Sequence, residues 1–197
     1  MLNPQFNDNP EECPALVGGN VEVSQRLTDT ILKAFKLQAA SQGTMNNILF
    51  GNDSFGYYET ICGGCGAGPG FHGADAVHHH MTNTRITDPE IMEFRYPVRL
   101  IQFSIRKGSG GRGLYHGGNG VVREILFLDE MNLSVLSQRR ISGPYGMAGG
   151  ENGSPGSQEI IRSQGFVEKL RPVASARVNS GDRLVIRTPG GGGFGKT

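Results

Sequence analysis

Long apolar runs are missing from this sequence of 197 residues. None approaches the ~20 residues that a membrane-crossing helix requires, so no membrane-spanning helix and no membrane partner are expected. An excess of charge is missing too: Lys plus Arg number 19 and Asp plus Glu 18. That balance argues against a dedicated nucleic-acid binder, which carries a strong basic excess. Cysteine is scarce. The three present, Cys13, Cys62 and Cys65, are too few and of the wrong parity for a disulfide framework, and they fit a reducing compartment. The opening MLNPQFNDNPEE has neither the basic start nor the apolar stretch of a secretion signal. A cytoplasmic protein is the expectation. No internal repeat is apparent.

Glycine is what the sequence has in abundance, 31 of 197 residues, about twice the usual share. The glycines gather in tracts at 63–73, 108–120, 143–156 and 190–195. Normally apolar sequence lies between them, which argues against disorder. Tight turns are one explanation, since glycine takes φ > 0 without cost. A backbone-lined anion or substrate site is the other.

Residues 1–20, rich in Asn and Pro, read as an extended lead-in segment, and 21–197 as one β-rich domain with a possible seam near 63–73. A helix is predicted from Asn20, as N-cap, to about Gln42, with Gly43 as its stop. Val23, Leu27, Ile31, Ala34 and Phe35 recur on it at spacings of three and four, giving an apolar stripe. Beyond it the pattern turns to period two. Strands are predicted at 47–50, 55–60, 99–107, 121–128, 133–140, 158–162, 173–178 and 183–188. Ile101, Phe103 and Ile105 share one half-buried face of their strand. Only 129–132 separate two of these runs, which therefore read as a hairpin. A short helix is predicted at 88–95 with Pro89 in its first position. The fold class is α+β, mainly β: one principal N-terminal helix, then a sandwich or partly closed barrel.

The densest polar stretch, 71–88, holds His72, His78, His79 and His80, four of the five histidines. On an extended backbone His78 and His80 point to one side and His79 to the other. Two imidazoles on one side suit acid–base work or a first-row metal. Asn83, Arg85 and Asp88 follow. Arg85 has the planar fork that grips a carboxylate or phosphate through two hydrogen bonds. The same residues also suit a polar loop whose imidazoles bond backbone carbonyls.

Cys62 and Cys65 form a C-x-x-C pair. It supplies half a zinc site, for which His78 and His80 are the nearest further ligands, or a redox dithiol, or two small residues in a glycine turn. The strings at 106–113 and 190–197 do not match G-x-x-x-x-G-K-[ST], so no nucleotide site is expected in this chain. Arg outnumbers Lys by 14 to 5, which suits cross-strand ion pairs or a docking surface.

Several strings together are specific: Val17-Gly-Gly-Asn20, Ala40-Ser-Gln-Gly-Thr-Met-Asn-Asn47, Gly56-Tyr-Tyr-Glu-Thr60 and Gly66-Ala-Gly-Pro-Gly70. His78-His-His-Met-Thr-Asn-Thr-Arg-Ile-Thr-Asp-Pro-Glu90 is the most diagnostic, and 108–111, 149–151 and 188–193 complete the set. With these the chain, from about Pro14 to Gly195, resembles the end of the B-type part of the 5-oxoprolinase/hydantoinase B family, in which the acetone carboxylase α subunit also falls. The resemblance implies a component of an ATP-dependent hydrolase of cyclic amides, converting 5-oxo-L-proline, ATP and water to L-glutamate, ADP and phosphate, a step of the glutathione cycle. It implies that ATP and a divalent metal are bound elsewhere, on A-type and N-terminal B-type parts that are this chain's partners in an oligomer, and that the chain alone is inactive. Substrate-pocket candidates are then His78, His80, Asn83, Arg85, Asp88, Glu59 and His72. A hydantoin-opening enzyme and a non-catalytic β-rich interaction module are the alternatives.

Overall fold

The computed structural model describes residues 22–82 and 84–197. The lead-in segment and Asn20 lie outside them, as does Asn83. The chain is mainly β. Among the described residues two helices, α1 (Ser24–Ala34) and α2 (Pro89–Arg95), accompany nine strands. These are β1 (Asn47–Asn52), β2 (Phe55–Glu59), β3 (Val98–Ile105), β4 (Val121–Phe127), β5 (Met131–Leu136), β6 (Ser157–Ile161), β7 (Val167–Lys169), β8 (Val173–Val178) and β9 (Arg183–Arg187). One sheet runs β2-β1-β5-β8 and the other β3-β4-β9-β6-β7. All pairings are antiparallel. Both sheets are open, so the architecture is a sandwich and not a closed barrel.

The core lies between the sheets. Ile48, Phe50, Leu133 and Val135 from one face Val98, Ile125, Phe127, Ile160, Leu184 and Ile186 from the other. Strict alternation in β4 and β5, every second residue buried, is what makes these strands legible in the sequence. The hairpin predicted between them does not form. β4 pairs with β3 and β9, and β5 with β1 and β8. The short connection switches sheets, so that each strand turns its one buried face to the core from opposite sides. β3 differs from expectation as well. Ile101, Phe103 and Ile105 are 40–47% exposed, since β3 is an edge strand and its register slips at Leu100/Gln102. β7 has no counterpart in the sequence pattern; three residues are too few to show a period.

Helix α1 is shorter than its pattern. It is capped by Phe35, whose N–H reaches the Ile31 carbonyl, and Lys36 turns left-handed at φ 56. The next residues are drawn into other pairings: Ala39 N–H to Ala67 O, Ala40 N–H to Tyr145 O, Gln42 N–H to Gly64 O. Long-range bonds override the helical propensity of this stretch. The faces of α1 are also reversed. Gln25 and Asp29 are buried, whereas Leu27, Ile31 and Phe35 are exposed.

The glycine tracts contain turns, with Gly70, Gly108 and Gly149 at positive φ, and beside them a second arrangement that the sequence pattern does not suggest. Gly190, Gly191, Gly192 and Gly193 donate in turn to the carbonyls of Ser154, Gly118, Ala40 and Glu151. The first and fourth address one neighbouring segment, the second and third two others. A direction that returns every third residue is that of an extended helix of polyproline II type. The segments around this axis come close enough that side chains are excluded: a Cβ on Gly191 would lie 1.9 Å from the Cys65 carbonyl oxygen. Backbone packs on backbone, as at the axis of collagen, where only glycine fits.

Candidate functional site

The polar face of α1 meets the histidine loop. Gln25 and Asp29, four residues apart, project from the same side of the helix. Asp29 Oδ1 accepts the Ser41 N–H at 3.0 Å and a hydrogen bond from His80 Nε2 at 2.9 Å. Gln25 Nε2 donates to the Thr82 hydroxyl and to the His79 carbonyl. Thr82 closes the loop by donating to the same carbonyl at 2.7 Å. The Tyr145 hydroxyl donates to the Asp29 main-chain oxygen at 2.6 Å. Around Gly43, Arg26, Asp29 and Arg139 converge, each 3.2 Å from where a Cβ would stand. A buried carboxylate on one imidazole nitrogen fixes the tautomer and orientation of the ring. His80 therefore holds its Nε2 proton toward Asp29, with 8% of its side chain exposed.

His80 sits at φ 56, so the extended alternation fails there. His78 and His80 do not share a side. His78 instead lines a cleft of about 270 Å³ with Cys62, Ile86, Phe103 and Ile105. Burial lowers its pKa, and its Nδ1 has no hydrogen-bond partner among the described residues. His79 lies between, its ring 4.7 Å from that of His80. Burial, aided by His80, pushes it down to about 4, so it stays neutral.

The other candidates are dispersed. Arg85 is exposed and forms no ion pair among the described residues. Asp88 caps α2, accepting the Glu90 and Ile91 N–H groups. Glu59 is buried against Arg123, whose guanidinium lies 2.9 Å away, and also accepts from the Tyr57 hydroxyl and Thr87 N–H. His72 accepts the His116 N–H and stacks on its ring. The cysteines diverge. Cys62 is in the apolar core, where burial pushes its thiol up to about 11. Cys65 Sγ takes a hydrogen bond from Gln38 at 3.2 Å. Among the described residues no three His, Cys, Asp or Glu converge as metal ligands do.

At 109–111 and 190–193 the main-chain N–H groups are already bonded within the protein. Anion cradles need unused N–H groups. Those of Gly190 to Gly193 are bonded to carbonyls, Gly111 donates to Gly191, and Ser109 and Gly110 donate to the Asn119 side chain.

The sequence pattern did not single out Asp29 and Gln25. A signal for them exists: Glu22, Gln25 and Asp29 repeat at spacings of three and four opposite the apolar stripe. Read alone, that stripe points to the wrong face as the buried one.

The family model for hydantoinase B/oxoprolinase matches residues 4–197. The chain belongs to the hydantoinase B/oxoprolinase family. It is 53% identical to a 5-oxoprolinase of Dictyostelium discoideum, over 100% of this chain and 15% of that protein. It is 54% identical to 5-oxoprolinase 1 of Arabidopsis thaliana, over 95% of this chain and 15% of that protein. A putative D-/L-hydantoinase component of Pseudomonas sp. is 28% identical, with 99% of this chain and 34% of that protein covered. The chain thus spans about a seventh of the 5-oxoprolinases it matches. An ATP-dependent caprolactamase from Pseudomonas jessenii shares the fold, with a TM-score of 0.67 at 24% identity over 84% of this chain and 32% of that chain. No helix among the described residues is long and apolar enough to cross a membrane.

Proposed function

We propose that this member of the hydantoinase B/oxoprolinase family is the C-terminal component of an ATP-dependent cyclic-amide hydrolase acting on 5-oxo-L-proline in the cytoplasm. The complete enzyme opens the ring to L-glutamate with ATP cleaved to ADP and phosphate. ATP and a divalent metal are held by A-type and N-terminal B-type parts, this chain's partners. What carries the reading is the 53% identity to a 5-oxoprolinase along the whole of this chain. The nearer likeness to 5-oxoprolinases than to a hydantoinase component favours 5-oxoproline over hydantoin as the ring. The bonded N–H groups at 109–111 and 190–193 support the view that the chain alone does not bind nucleotide.

Within this component, His78 and Arg85 complete the substrate pocket. Arg85 supplies the two-pronged donor that suits the substrate carboxylate, and His78 presents a neutral ring at an apolar cleft that would exclude water. Asp29, Gln25 and His80 set the position of the loop that bears them.

The test is purification of the tagged chain from its native source. The remaining hydantoinase-type parts are expected to accompany it, and the assembly to release glutamate from 5-oxoproline only with ATP. The chain alone is expected to release none. An assembly that opens hydantoin but not 5-oxoproline, or glutamate release by the isolated chain, rejects the reading.

A further inference from the structure

Helix α1 turns the wrong face outward for a helix on a free surface. Leu27 is 57% exposed, Ile31 48% and Phe35 71%, with Val23 and Leu37 beside them. Rolling the helix inward would hide them but is not open to it. Asp29 would lose Ser41 and His80, and Gln25 would lose Thr82. Buried polar groups cannot be abandoned without cost. The apolar stripe is therefore held outward by the bonds on the other face.

We propose that this stripe is a docking surface, and that its occupant is an apolar groove with an acidic rim on the rest of the enzyme, resting on the function proposed above. Two observations choose that occupant. The relatives carry this unit as about 15% of their length, so most of the enzyme lies outside this chain. The exposed charges along the helix, Arg26, Lys33 and Lys36, are all cationic, while its acids, Glu22 and Asp29, are buried. A helix whose exposed charges are all cationic offers a second copy of itself no opposite charge to pair with. Spacings of four residues from Val23 through Leu27 and Ile31 to Phe35 are those of a helix laid in a groove.

The docked face is coupled to the histidine loop. The residues that hold the stripe outward are those that position His79, His80 and Thr82, so seating the helix also sets the loop.

The experiment compares capture of hydantoinase-type partners by the tagged chain, by Leu27→Glu/Ile31→Glu and by Lys33→Glu/Lys36→Glu, with partners identified by mass spectrometry. Leu27 and Ile31 are exposed, so an unchanged melting temperature is expected of the apolar pair, whereas Lys33 stands 4.5 Å over the Tyr145 ring and the charge-reversed pair should melt slightly lower. The apolar pair should lower capture at least tenfold. The charge-reversed pair should weaken it and flatten its dependence on salt. Capture unaffected by the apolar pair overturns this inference and leaves the proposed function standing. Absence of any hydantoinase-type partner from the unsubstituted chain overturns both. A dimer of this chain that dissociates on Leu27→Glu/Ile31→Glu, seen by sedimentation, would assign the face to a second copy and overturn the inference.

Discussion

Arg123 in β4 of one sheet reaches across the core to Glu59 at the end of β2 in the other, with Nη2 3.0 Å from Oε1 and Nε 2.9 Å from Oε2. Both side chains are almost wholly buried, at 1% and 3% exposure. Burial pushes the Glu59 carboxyl above its ordinary value, with Arg123 pulling the other way. A lone charge left here would be far more costly than the intact pair is stabilising. Arg123→Met should therefore cost about 3–5 kcal/mol in urea unfolding. Glu59→Gln added to it should recover a large part of that loss. A double variant as unstable as the single one would mean that the guanidinium matters for packing, against Phe103, and not for charge.

The glycines divide sharply by what surrounds them. Gly191→Ala drives a methyl into the Cys65 carbonyl, whereas a Cβ on Gly56 meets nothing within 4 Å. Gly191→Ala should give no folded protein, or lose more than about 3 kcal/mol. Gly56→Ala should stay within about 1 kcal/mol of the parent. Thermal melts of the two test whether Gly191 stands in packed interior while Gly56 stands in open space.

Glu22 gives the chain a defined pH dependence. Its carboxylate accepts from Thr44 and Met45 in a buried setting, and burial pushes it up to about 7 from an ordinary 4.5. Because the folded state holds the proton more tightly, this contribution favours folding below pH 4.5 and is lost as pH rises through 7. Glu22→Gln keeps the acceptor and cannot ionise. It should be more stable than the parent at about pH 8, by on the order of 3 kcal/mol, with the gap closing toward about pH 4.5. Chemical unfolding across that range gives the comparison.

Arg85 and His80 should separate binding from folding. Arg85→Lys keeps the charge and loses the fork. In the assembled enzyme it should raise KM for the cyclic amide roughly tenfold at an unchanged melting temperature. His80→Ala strips buried Asp29 of a partner and should cost about 1–3 kcal/mol. If both variants lower the melting temperature and turnover per folded molecule is untouched, the loop is structural only.

What is legible in the sequence is whatever depends on near neighbours in the chain. The alternation in β4 and β5, the Asp88-Pro89 start of α2 and the turn at Gly181 follow from local geometry, and the structure contains them all. What stays concealed depends on distant partners. Nothing near 129–132 says that β5 leaves β4 for β1 and β8. Nothing in the stretch after Ala34 says that Ala40 is claimed by Tyr145, about a hundred residues on. The candidate site shows the same division: the histidine cluster is visible at once, but Asp29, which holds His80, lies 51 positions away.

The axis of the glycine weave is also the latest part of it to be synthesised. Every carbonyl that Gly190 to Gly193 address, those of Ser154, Gly118, Ala40 and Glu151, precedes them in the chain. On the ribosome the surrounding segments emerge with their centre absent, and their carbonyls and N–H groups wait, solvated, for a strand not yet made. Such non-local closure is slow. Cells have reason to shield the unfinished chain with a chaperone or with a partner already in place, and translation halted just short of Gly190 would leave the other segments without the spindle on which they are wound.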